Sequence, residues 1–117
     1  MFVGRFTRPD ILLPVTVLAT FSSSPTEKHM GQAIRILKYL GIDPAKGLLF
    51  DNSRINPVIY ADASHAIHPS GHGQGGILLT LGSAPIFCRS FKLKSVTRSS
   101  SELELYALEE ASTYAVW

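Results

Sequence analysis

Two carboxylates, Asp62 and Glu104, stand where side chains of their type are least expected. Asp62 closes the run Val58-Ile59-Tyr60-Ala61, in which Val, Ile and Tyr are strong strand formers. An Asp is rarely buried without a partner, so it either ends strand pairing and starts a turn or is placed for chemistry. Glu104 lies in the run Ser99-Ser100-Ser101-Glu102-Leu103-Glu104. Projected at about 100° per residue, Leu103, Ala107, Leu108, Ala111, Tyr114 and Ala115 define one helix face. Glu104 falls near its centre, with Glu102, Glu109 and Thr113 opposite. An unpaired carboxylate on a core face is costly, so Glu104 either answers the helix dipole or a backbone group or shares a divalent cation with Asp62. Magnesium takes oxygen ligands and keeps several waters. Two such ions about 4 Å apart can activate water and stabilise the leaving oxygen in phosphodiester hydrolysis.

The other chemistry-bearing residues divide into a basic cluster and a set of weaker signals. Arg89, Lys92, Lys94 and Arg98 are interleaved with Phe87 and Phe91, and such a cluster either follows a phosphate backbone or protects an edge strand against aggregation. His65, His68 and His72 match no common zinc spacing, and no Cys accompanies them, so they read as polar hairpin residues. Gly71-His72-Gly73-Gln74-Gly75-Gly76 precedes a strand rather than the helix a phosphate cradle needs, which points to turns. There is no Gly-x-Ser-x-Gly motif of a serine hydrolase.

These groups must be carried by a small set of elements. At 117 residues one small domain, or a piece of a larger one, is expected. Thr7-Arg8-Pro9-Asp10 reads as a helix start with Thr7 as cap and Asp10 answering it, and Pro14 predicts a kink in the roughly ten-residue helix that follows. Ser24-Pro25-Thr26-Glu27 repeats the signature, and Met30, Ala33, Ile34, Leu37 and Leu40 recur at helical spacing up to Gly41. Asp43-Pro44 reads as a turn, Gly47 to Phe50 as a short edge strand, and Asp51-Asn52-Ser53 as a loop. Then come a strand ending at Asp62, strands over Ile77 to Leu81 and Ala84 to Phe91 around the turn Gly82-Ser83, and a final helix capped by Ser99-Ser100-Ser101. Hairpin-length loops make the three strands an antiparallel meander.

The net charge of +2 is unevenly spread, with six Lys/Arg against three acids in residues 1–50 and five against six in residues 51–117. Cys88 is the only cysteine, so no internal disulfide forms and a cytoplasmic or nuclear setting is expected. Asp10 and Pro14 interrupt the apolar run Ile11 to Ala19 that would otherwise resemble a signal peptide. Nothing approaches the roughly 20 apolar residues of a membrane span.

Several stretches, taken in order, resemble copia-type LTR retrotransposon polyproteins where the reverse transcriptase runs into the RNase H domain. They are Thr7-Arg8-Pro9-Asp10-Ile11-Leu12, Pro25-Thr26-Glu27-Lys28-His29, Arg35-Ile36-Leu37-Lys38-Tyr39-Leu40, Tyr60-Ala61-Asp62-Ala63-Ser64 and Ser99-Ser100-Ser101-Glu102-Leu103-Glu104. The resemblance implies an α+β chain in which residues 1–50 are the helical, connection-like tail of the polymerase region. Residues 55–117 are then a partial RNase H-like domain, a three-stranded antiparallel sheet plus a helix. Asp62 matches the family's first catalytic Asp, and Glu104 the Glu of its Ala-Glu-Leu-x-Ala-Leu pattern, with Glu102 the competing position. The implied reaction is cleavage of RNA in an RNA–DNA hybrid by two Mg²⁺ ions held at Asp62 and Glu104. Ser64, Arg89, Lys92, Lys94, Ser99 and Ser101 are the implied nucleic-acid contacts. The rest of the polyprotein is an implied partner, no membrane is involved, and an intact element would place the protein in a virus-like particle.

One departure qualifies that expectation. The family's third catalytic Asp lies on a strand beyond the final helix, and no residue of this sequence matches it. Little or no nuclease activity is therefore expected of the isolated chain, as of a polyprotein fragment. The alternative is a non-catalytic nucleic-acid-binding or interaction module that keeps the basic strand.

Overall fold

A computed structural model describes residues 1–50, 56–96 and 99–115, and the chain divides into two units, Met1–Leu48 and Leu49–Trp117. The first is helical, with α1 (Phe2–Phe6), a 3-10 turn (Pro9–Ile11), α2 (Leu12–Ala19) and α3 (Glu27–Ile42). Its polar centre is the buried Arg8. Arg8 Nε and Nη2 donate to the two carboxylate oxygens of Asp10 at 3.1 and 2.9 Å, and Nη1 donates to the Asp43 carbonyl at 3.0 Å. The Tyr39 hydroxyl donates to the same carboxylate at 2.8 Å, and the guanidinium lies over the Tyr39 ring. A buried guanidinium left without a carboxylate is costly, so Asp10 serves Arg8 and not the Thr7 cap. The Thr7 hydroxyl instead donates back to the Val3 carbonyl.

Local chemistry moves the predicted helix ends. α2 starts at Leu12, so Pro14 falls in its first turn, where a missing N–H costs no hydrogen bond. No kink is needed there. The cap of α3 is Thr26 rather than Ser24, and His29 takes the place of the usual Glu in the capping box, its Nδ1 accepting the Thr26 N–H at 3.2 Å. The helix runs past Gly41 and stops at Ile42, ahead of the Asp43-Pro44 turn. Gly47 to Phe50 form no strand, and Asp51-Asn52-Ser53 lie outside the described residues.

The second unit holds β1 (Pro57–Ser64), β2 (Gln74–Leu81), β3 (Ala84–Lys92) and α4 (Ser100–Ala115). The strands form an antiparallel sheet in the order β1-β2-β3, so the α+β class and the meander hold. Gly82 opens the β2–β3 turn with φ of 62°, the positive value that a type II′ hairpin requires at its first central residue. The β1–β2 connection is longer than a hairpin, covering residues 65–73. His68 pins it down: its buried Nε2 lies 2.7 Å from Gln74 Oε1, and Gln74 Nε2 donates to Ser90 Oγ at 2.7 Å. α4 packs chiefly over β1, burying Leu103, Ala107 and Ala111.

The Asp10 carboxyl has an acid signature. Hydrogen bonds from Arg8 hold it at about 2, below its ordinary 3.8, against the effect of burial and with help from Tyr39 and Lys46. A depressed carboxyl stabilises the fold fully above about pH 4, and that contribution is lost as pH falls through about 2. Asp10→Asn should therefore lower the stability of the helical unit by about 2 kcal/mol at neutral pH and flatten the acid limb below pH ~4. Urea titrations followed by far-UV circular dichroism check both.

Candidate active site

Strand alternation assigns each predicted site residue to a side of the sheet. Arg89 and Phe87 reach helix α4. Arg89 Nη1 donates to Glu110 Oε1 and, at 2.6 Å, to the Tyr114 hydroxyl, while the Phe87 ring packs tilted against the Tyr114 ring. The rows Ala61–Ile77–Arg89 and Ile59–Leu79–Phe87 thus face the helix. The rows Asp62–Gly76–Ser90 and Ser64–Gln74–Lys92 face the other way. Asp62, Ser64 and Lys92 share one face, and Arg89 lies on the opposite one.

Asp62 is not at the strand end, as its neighbours suggested, but inside β1 and exposed. Its Oδ1 accepts the Ala63 N–H at 2.9 Å. A side chain added at Gly76, directly across from it, would meet no atom within 4 Å, so the space beside this carboxylate is open. Glu104 also corrects its predicted placement. It is exposed on α4, and the acid on the inner side of the helix is Glu110, bonded to Arg89. Leu108, predicted inward, is exposed as well. The inward set Leu103, Ala107, Glu110, Ala111 and Tyr114 has helical spacing, but Glu110 is recognisable in the sequence only once Arg89 is known to need a carboxylate.

The remaining candidates are dispersed. Lys92 Nζ donates to Ser70 Oγ at 2.9 Å on the surface, and Lys94 is exposed just after β3. Ser99 caps α4, its Oγ accepting the Glu102 N–H at 3.2 Å. Ser101 is exposed in the first turn, and Arg98 lies outside the described residues. Burial works against the charge of Arg89, but its bonds to Glu110 and Tyr114 outweigh burial and raise its pKa, which gives this cation a structural role. Burial pushes the Cys88 thiol up. Among the described residues no three His, Cys, Asp or Glu side chains gather to hold a metal ion, and no helix is long and apolar enough to cross a membrane.

The chain is 38% identical over 98 residues, 82% of its length, to a transposon Ty5-1 protein of Saccharomyces cerevisiae. It is 36% identical over 114 residues, 96% of its length, to the retrovirus-related Pol polyprotein from transposon RE1 of Arabidopsis thaliana. It is also 35% identical over 119 residues to the secreted RxLR effector protein 161 of Plasmopara viticola, covering all of this chain and 84% of that protein. The chain belongs to one family with that effector protein, and it is similar to parts of retrotransposon polyproteins. The chain spans 32% of the yeast protein and 8% of the Arabidopsis polyprotein. No family profile and no solved structure matches it.

Two glycines near the site have opposite tolerances. A Cβ at Gly73 would lie 2.6 Å from the Ser64 carbonyl oxygen and 3.1 Å from Leu103 Cδ2. Gly73→Ala should destabilise the sheet unit by roughly 1–3 kcal/mol, whereas Gly76→Ala, made into open space, should stay within about 0.5 kcal/mol. Paired thermal melts of the two variants test the contrast.

Proposed function

We propose that residues 55–117 are the first half of an RNase H-type nuclease domain and that residues 1–50 are the end of a copia-type reverse-transcriptase region. The observation that supports this most is topological. A three-stranded meander is followed by a helix laid over its first strand, and that strand carries Asp62 with its carboxylate open to solvent. The lineage activity is Mg²⁺-dependent hydrolysis of the RNA strand in an RNA–DNA hybrid. The rest of a polyprotein is the natural partner of the chain, in a cytoplasmic or nuclear setting.

The donor set agrees with magnesium in kind, since Asp62 and Glu104 offer hard oxygen ligands and the space beside Asp62 is free of protein atoms. Bound magnesium supplies a more acidic water and charge stabilisation at the leaving oxygen. In this reading Asp62, on the sheet face away from α4, and Glu104, on the solvent side of that helix, would hold the ions, and Lys92 and Lys94 would draw in the phosphate backbone. Ser64 and Ser101 offer hydroxyls to it, and Ser99 contributes by starting the helix that carries Glu104. Arg89 contributes only indirectly, by fixing that helix to the sheet. The number of donors falls short: two carboxylates on different elements make a weak site, and no residue here matches a third acid. Cleavage by this chain alone is expected to be slight or nil.

A second reading, a non-catalytic nucleic-acid-binding or interaction module, is favoured by one comparison. The relative that this chain covers to 84% is named an effector rather than a polyprotein. Mn²⁺ titration followed by NMR separates the readings. Millimolar Mn²⁺ should broaden amide signals around Asp62 and Glu104 selectively, and Asp62→Asn should abolish the effect. If broadening is absent there while a labelled hybrid still binds in a salt-sensitive way without cleavage, the module reading replaces the nuclease one.

A further inference from the structure

Helices α3 and α4 each present an apolar stripe to solvent, and the charges beside the two stripes are of opposite sign. On α3, Met30, Ile34 and Leu37 follow i, i+4, i+7 spacing and are 63%, 45% and 67% exposed. A soluble amphipathic helix normally turns such a stripe to a core, yet no residue of α3 is fully buried. At its N-terminal end the stripe runs into an apolar groove of about 450 Å³, lined by Leu18, Phe21, Pro25, Met30 and Ala33 among others. The exposed charges of α3 are Lys28, Arg35 and Lys38 against the single acid Glu27.

α4 is the counterpart. Its outer side carries Leu105 and Leu108, 69% and 59% exposed, with the small Ser101 and Ser112 along the same stripe. Exposed Glu104 and Glu109 flank it, and the helix has no Lys or Arg.

We infer that α3 of one chain docks on α4 of a second copy, apolar stripe against apolar stripe, with the cations of α3 beside the acids of α4. Every copy brings one basic and one acidic helix. Two copies therefore meet through one such α3–α4 contact or through two. The inference requires neither metal nor nucleic acid; Glu104 is the one residue it shares with the nuclease reading, and its readout is association, not metal binding or cleavage. Charge complementarity at such a rim sets partner choice and salt sensitivity, and the apolar stripes supply the contact area.

Sedimentation velocity on the full chain tests it. The wild-type chain should form a dimer whose fraction rises with concentration and falls with added salt. Arg35→Glu/Lys38→Glu reverses the α3 rim, and Glu104→Lys/Glu109→Lys reverses the α4 rim; all four positions are exposed, and circular dichroism verifies folding. Each reversed protein alone should associate at least about tenfold more weakly. An equimolar mixture of the two should regain association, because every basic helix then meets an acidic one. A wild-type chain that stays monomeric at all concentrations overturns the inference, as does a mixture that associates no better than its components.

Discussion

Arg89 sits on the face of the sheet that helix α4 covers, and a guanidinium in that position needs a carboxylate within reach. Glu110 supplies it, and the Tyr114 hydroxyl and ring complete the joint. This contact fixes the rotation of α4 about its own axis. With Glu110 and Tyr114 turned to the sheet, Leu103, Ala107 and Ala111 are carried inward with them. Glu104, Leu105 and Leu108 are carried out. Gly73 leaves room for Leu103 of the helix, since a Cβ there would crowd Leu93 and Leu103, and Gly75 leaves room for the Phe91 ring of β3. An aromatic ring covering a cross-strand glycine also shields a backbone that would otherwise be open.

The parts of the fold that were legible in the sequence are those governed by local chemistry. The Gly82-Ser83 turn, β2 from Ile77 onward, β3, the antiparallel meander and the existence of α3 and α4 follow from turn residues, β-branched runs and caps, whereas Gly75 and Gly76, read as turn residues, are paired in β2. The rest was decided by contacts distant in sequence. Asp62 looked like a strand terminator because Asp is a poor strand former, but pairing with Gly76 carries β1 on to Ser64. Apolar counting set α4 with Glu104 inward, whereas an ion pair with a residue on β3 determined its rotation. Helix α1 is too short to show a period, and Gly47 to Phe50 were apolar without having a strand to pair with.

The sequence named candidate site residues without their geometry. Asp62, Ser64 and Lys92 do share a face, as strand alternation would have it once the register is known. Arg89, grouped with the lysines by proximity in sequence, belongs to the opposite face and to a different task. Two of the histidines read as polar hairpin residues serve the loop. His68 ties it to Gln74, and His72 lies 2.9 Å from the Ser70 hydroxyl.

The order of the strands also bears on how the second unit is made. Each strand pairs only with its immediate neighbour in the chain, which keeps loop-closure entropy small and contact order low. The hairpin around Gly82 can zip on the microsecond scale typical of such turns, long before synthesis has added many further residues. The sheet can then be in place when α4 leaves the ribosome, so that the helix docks onto a surface already formed.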